Sequence, residues 1–225
     1  MDYLDSRARI NLTKRCYIFA GLALLPISNA SAFDLLLNFV DEQQQTITGV
    51  VAEISGRPVG SAPAQPAIMD QVNRRFEPMV LLVQTGELVS FPNSDNVRHH
   101  VYSFSEIRQF STPLYADEHV DPVLFDQPGV AVLGCNIHDS MVAYVYVSPW
   151  QDRAISDETG RMTMSGIVEK PQTLSVWHPW LQTPDNTLDI DLSAAADGVM
   201  FDVILPVKAP TAQFGFRALV PGAVL

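Results

Sequence analysis

The sequence predicts an all-β protein made of two β units, and three observations carry that prediction. The chain has 225 residues, of which 47% are hydrophobic and 17% charged, so it can bury real cores and is not broadly disordered. Valine and proline are plentiful, and the apolar runs are short and separated by Gly, Pro, Asn and Asp turn signals. Stretches long enough for amphipathic helices are hard to find.

The first residues read as a targeting segment. Arg7, Arg9, Lys14 and Arg15 form a basic start, Tyr17 to Leu25 is apolar, and Ala30-Ser31-Ala32 supplies small residues before Phe33. This is the three-part layout of a secretory signal peptide over residues 1–32, and its apolar run is short for a bilayer span. Cleavage after Ala32 would place the protein in the periplasm. It would take those four basic residues and Asp2 and Asp5 from the 14 basic and 25 acidic ones, moving the formal charge from −11 to −13. Such a surface repels nucleic acid and suits basic partners. No later segment reads as membrane-crossing.

Asp34 to Val40 is a first strand or a remnant of linker. Thr46 to Ile54 reads as a strand, Ser55 to Val59 as a turn, and Gly60 to Pro66 as a loop or boundary. Strands follow at Pro78 to Val83, Leu88 to Phe91 and His100 to Phe104, with a tight turn at Gly86-Glu87. Residues 106 to 128 are less regular and read as a long surface excursion. Gly129 to Leu133 and Met141 to Val147 form two strands bracketing Cys135, and Pro149 closes the unit. A second composition begins near Trp150, with strands at Met162 to Met164, Thr173 to Pro179, Leu188 to Leu192 and Val199 to Leu205. Residues 209–225 read as a tail.

Cysteine usage sharpens the reading. Cys16 leaves with the signal, and Cys135 remains alone in an oxidising compartment, where a free thiol is a liability. A buried, inert thiol is one explanation and a metal ligand is the other. Its neighbours favour the second: Gly134-Cys135-Asn136-Ile137-His138-Asp139-Ser140-Met141 places a thiolate, an imidazole and a thioether within seven residues, between two strands. Soft sulfur with imidazole selects copper, and a thiolate with two histidines and a weak axial methionine is a blue-copper set. Phe91 to Tyr102 supplies the second histidine, as His99 or His100.

These paired motifs resemble those of the cupredoxins, the blue type 1 copper proteins of amicyanin and plastocyanin type. The Cys-x-x-His-x-x-Met spacing is most similar to amicyanin, and the match covers about residues 67 to 148. The resemblance implies a Greek-key β-sandwich with one type 1 copper ion held by His99, Cys135, His138 and Met141, with Val101 pointing inward. It departs from the family pattern at His100, where an asparagine usually ties the two ligand loops together. His100 either makes that hydrogen bond or is itself the ligand, and strand alternation lets only one of the two histidines point inward.

Thr46 to Val59, followed much later by Asp157 to Trp177, resembles the β-sandwich of carboxypeptidase regulatory-like domains. The whole arrangement is similar to exported cupredoxin-like proteins labelled as methylamine-utilisation proteins. It implies a cupredoxin unit at 66–148 inserted into a second small β-sandwich made of 33–65 and 149–208.

His119, within Asp117-Glu118-His119-Val120-Asp121, is read as part of a solvated acidic loop, and His178 as a packed edge residue. Trp150, Trp177 and Trp180 are read as core or inter-unit packing. Five histidines are too few for a trinuclear copper cluster, and no nucleophile–base arrangement or phosphate loop is recognisable. The expected function is therefore one-electron transfer rather than enzymatic conversion, with a redox partner such as a cytochrome or dehydrogenase. Electrons would pass through the edge of His138, and Phe91 and Tyr102 would keep water from the metal. Copper handling without electron carriage is the alternative, and a scaffold role a third.

Overall fold

The computed structural model describes residues 32–116 and 120–208. The expected signal segment with Cys16, the loop position His119 and the tail at 209–225 lie outside the described residues. Apart from one short 3-10 turn, Pro184–Asn186, every regular element among the described residues is a strand, so the all-β expectation holds. No helix among the described residues is long and apolar enough to cross a membrane.

Two pairs of sheets each enclose a core. In the first pair, Phe33–Val40 lies between Arg161–Ile167, antiparallel, and Met200–Ile204, parallel. Its alternation buries Phe33, Leu35, Leu37 and Phe39 on one face, as period-2 geometry requires. The facing four-stranded sheet runs Trp150–Ile155, Val51–Pro58, Thr173–Trp177, Thr187–Asp191. Leu35, Leu37, Phe39, Ala52, Leu174 and Val176 meet between them.

The second pair is drawn from residues 67–148. A five-stranded sheet has the order Val80–Gln84, Val142–Ser148, Gly129–Gly134, Tyr102–Ser105, Arg108–Ser111. A smaller sheet of Val123–Phe125, Glu87–Ser90 and Ala67–Ile68 covers it. The core between them holds Val89, Phe91, Phe125, Leu133, Ala143 and Val145 together with Cys135 and Met141. The strand Val142–Ser148 is apolar at nearly every position because both of its faces are covered. Ala143, Val145 and Val147 face the inner core, while Val142, Tyr144 and Tyr146 face a third cluster with Val51 and Trp177.

Two sequence expectations need correction. Ser55 to Val59 is not a turn, because the strand Val51–Pro58 runs through it. Gly56 takes φ 126 where the register against the neighbouring strand slips between Trp150 and Asp152, so the turn-like composition marks a β-bulge. Residues 106 to 128 are not a simple surface excursion: they contribute the strands Arg108–Ser111 and Val123–Phe125. They also bury Tyr115 and Phe125 almost completely.

Candidate metal centre

The strands Gly129–Gly134 and Val142–Ser148 pair antiparallel up to Gly134 opposite Val142, so Cys135 to Met141 is the loop that closes this hairpin. Two successive turns shape it. The His138 amide donates to the Cys135 carbonyl at 3.4 Å and the Met141 amide to the His138 carbonyl at 2.8 Å. Turns that close on the third residue bring side chains three apart to the same side. This is the physical reason for the Cys-x-x-His-x-x-Met spacing. Both ends of the loop are anchored, with Cys135 and Met141 each 1% exposed in the same core. Asn136 and Ile137 face solvent, and His138 is half-buried.

His99 arrives from the other side. It lies between the strands Glu87–Ser90 and Tyr102–Ser105 and is fully buried. Two backbone hydrogen bonds fix it to Tyr115, His99 N to Tyr115 O and Tyr115 N to His99 O, both 2.9 Å. The ring is fixed as well, with Nε2 at 2.8 Å from Asp95 Oδ2, so Nδ1 faces the loop. Cys135 Sγ lies 3.8 Å from His99 Nδ1 and 3.8 Å from His138 Nδ1, and the two Nδ1 atoms are 3.2 Å apart. The thiol and one nitrogen of each histidine all lie within 4.8 Å of one another.

A metal fits this donor set. Two imidazole nitrogens so close, with a sulfur beside them, are the convergent lone pairs that a soft or borderline ion takes up. The pKa of His138 is held below its ordinary value, first by partial burial and then by the neighbouring His99 and Arg74, which keeps its ring available as a neutral ligand. The structure also separates the two adjacent histidines. His100 Nε2 is 2.8 Å from Ser111 Oγ on the strand Arg108–Ser111, and its ring lies 5.4 Å from that of Tyr102. His100 therefore takes neither of the expected roles: it is not grouped with Cys135, and its hydrogen bond goes to Ser111 rather than to the loop. Phe91 and Val101 pack in the core with Cys135, whereas the Tyr102 ring makes tilted contacts with those of His100 and Phe104.

Residues that the motifs did not single out support His99. The Asp95 carboxylate accepts the backbone amides of Asn73 at 3.1 Å and Arg74 at 2.7 Å, at the tip of the hairpin Asp70–Val72 and Arg75–Glu77. Burial opposes ionisation of Asp95, but the Arg74 amide and His99 outweigh it and its pKa lies below the usual carboxylate value. Asn93 Nδ2 donates to the carbonyls of Val97 and Tyr115 at 2.9 and 3.1 Å. The Tyr115 hydroxyl donates to Phe91 O at 2.6 Å and accepts from Gln71 Nε2. The signal that could have found Asp95 is an acidic residue four positions before the histidine in a loop. Tyr115 carried no such signal.

The β-sandwich of residues 67–148, with this group at one end, has a cupredoxin-like arrangement. Solved structures similar to the chain include a copper-containing nitrite reductase from Thermus scotoductus, 25% identical over 41% of this chain with a TM-score of 0.36. The match spans only 25% of that enzyme. A purple cupredoxin from Nitrosopumilus maritimus is 23% identical over 36% of this chain and 99% of its own, with a TM-score of 0.34. An amicyanin variant in its reduced Cu(I) form is 20% identical over 43% of this chain and 98% of its own, with a TM-score of 0.35. No protein-family model and no curated protein matches the chain.

Proposed function

We propose that the protein is an exported type 1 copper protein that carries single electrons between redox partners, with His99, Cys135, His138 and Met141 holding the metal. The observation that carries this reading is the convergence of His99 Nδ1, Cys135 Sγ and His138 Nδ1, from two separate loops, within 4.8 Å. A bound copper ion supplies a one-electron Cu(II)/Cu(I) couple. The chain's own residues do the rest. His99 and Cys135 are buried and anchored by strands and hydrogen bonds, so the donors keep one geometry in both oxidation states. Of the three grouped side chains only His138 reaches the surface, so it is the edge at which a partner exchanges electrons. The partner is a cytochrome or dehydrogenase met in the periplasm after removal of residues 1–32, and no substrate is converted. The copper unit at 66–148 is inserted in a second β-sandwich formed by 33–65 and 149–208.

Voltammetry of the copper-loaded protein with a Cu(I) chelator present tests this against copper handling. The carrier reading predicts a reversible one-electron wave that keeps its amplitude over repeated cycles. Loss of the wave, with copper passing to the chelator on reduction, would establish delivery instead.

A further inference from the structure

The hydrogen bond between His99 and Asp95 joins a buried imidazole to a carboxylate with other duties. The Asp95 side chain is 10% exposed and His99 is 0% exposed, and their 2.8 Å contact joins His99 Nε2 to Asp95 Oδ2. The same oxygen accepts the Arg74 amide at 2.7 Å, and the other carboxylate oxygen accepts the Asn73 amide at 3.1 Å. The Asp95 amide itself donates to Asn93 Oδ1 at 3.0 Å, so the carboxylate is held from its own backbone as well. Asn73 and Arg74 have φ values of 52 and 57, the left-handed pair that a two-residue hairpin turn demands, and this aims both amides at Asp95. The hairpin thus acts as a clamp on the carboxylate, and the carboxylate as a clamp on the ring.

We propose that Asp95 is a positioning residue for His99: it keeps the Nε2 proton, presents the Nδ1 lone pair to the metal, and lowers the reduction potential of the bound copper. The proposal rests on the copper reading above. A carboxylate accepting from the far nitrogen of a ligating histidine fixes its tautomer and raises its basicity as a ligand. Its negative charge, one ring away in a poorly solvated site, favours the more positive oxidation state. Cu(II) therefore gains more than Cu(I).

The test compares wild type with Asp95→Asn, which keeps the size and an acceptor oxygen but removes the charge. Removing such a partner typically costs about 10–100-fold in metal affinity. The expected result is a Cu(II) affinity at least about tenfold weaker, a Cu(I) affinity less affected, and a higher potential. A tenfold change in their ratio is a shift of about 59 mV for one electron. A purely structural role for Asp95 would weaken both oxidation states alike and leave the potential where it was, and that result overturns the proposal. A wild type without a thiolate–copper band overturns the copper reading, and the proposal with it. A blue wild type with an unshifted variant overturns the proposal alone. Nitrogen NMR of the copper-free wild type adds a readout that survives a misfolded variant: the His99 proton is expected on Nε2, and a proton on Nδ1 contradicts the proposal.

Discussion

His99 and His100 are neighbours with the same side chain, and their surroundings give them different chemistry. His99 has no solvent exposure, and its ring is caught between Asp95 and Cys135. The His100 ring meets Ser111 instead. Removing the two rings should therefore have unequal effects. His99→Gly should weaken Cu(II) binding by more than the roughly 10–100-fold typical of losing a supporting residue. His100→Asn should leave it within a few-fold, as read by competition with a chelator of known affinity. Equal losses would show that the upstream ligand has been misassigned. Alternation along a strand already implied that one of the two points inward, and the resemblance favoured His99, but the residues themselves left the choice open. That is settled by the bridge to Tyr115, a partner 16 positions away whose place the local pattern does not reveal.

At the scale of elements, local chemistry explains what could be read in advance. The loop from Cys135 to Met141 was legible because its side chains, its bracketing strands and its spacing all lie within one hairpin. The strand Arg108–Ser111 was not, since Arg-Gln-Phe-Ser carries little apolar signal and is held by pairing with Tyr102–Ser105. The turn after Thr173–Trp177 offers a test of its own. His178 is 1% exposed, accepts the Trp180 amide on Nδ1 at 3.3 Å, and its ring lies edge-on to Trp180. Burial pushes its pKa down from 6.5 to about 4, although a hydrogen bond with the Thr48 backbone acts the other way. The unfolded chain then takes up a proton that the folded one refuses. Stability from this group is complete above pH 6.5, falls as the pH drops below it, and levels off below about 4. Between pH 7.5 and 5 the loss is about 2 kcal/mol. Urea unfolding of the copper-free protein at both pH values, beside His178→Gln, checks it: the wild type should lose about that much more than the variant. An equal loss in both would show that His178 does not stay neutral in the folded state.

Across the whole molecule, the two sandwich cores are tied through one sheet. The five-stranded sheet buries its inner face around Cys135 and Met141 and its outer face against Trp177, whose ring packs on Tyr144 and Tyr146 at centroid distances of 5.6 and 5.4 Å. Polar contacts reinforce the junction: Ser148 Oγ donates to Glu53 at 2.6 Å, and Arg153 donates to Gln84 and to the Trp150 carbonyl. The strands that bracket the Cys135 loop are thus held from both sides, which would suit the proposed copper site, whose donors are to keep one geometry in both oxidation states. The all-β class was readable from composition and period. The pairing of Phe33–Val40 with Met200–Ile204 was not, because a strand's own pattern shows which face is buried but not which distant strand lies beside it.

The proposed function depends on copper bound by the Cys135 thiolate, which the visible absorption spectrum reads. Cu(II) is added to the chain lacking residues 1–32 and, in parallel, to its Cys135→Ser variant. An intense blue band at one equivalent of copper, absent from the variant, is the expected result. A colourless wild type, or a band that survives the substitution, would contradict it.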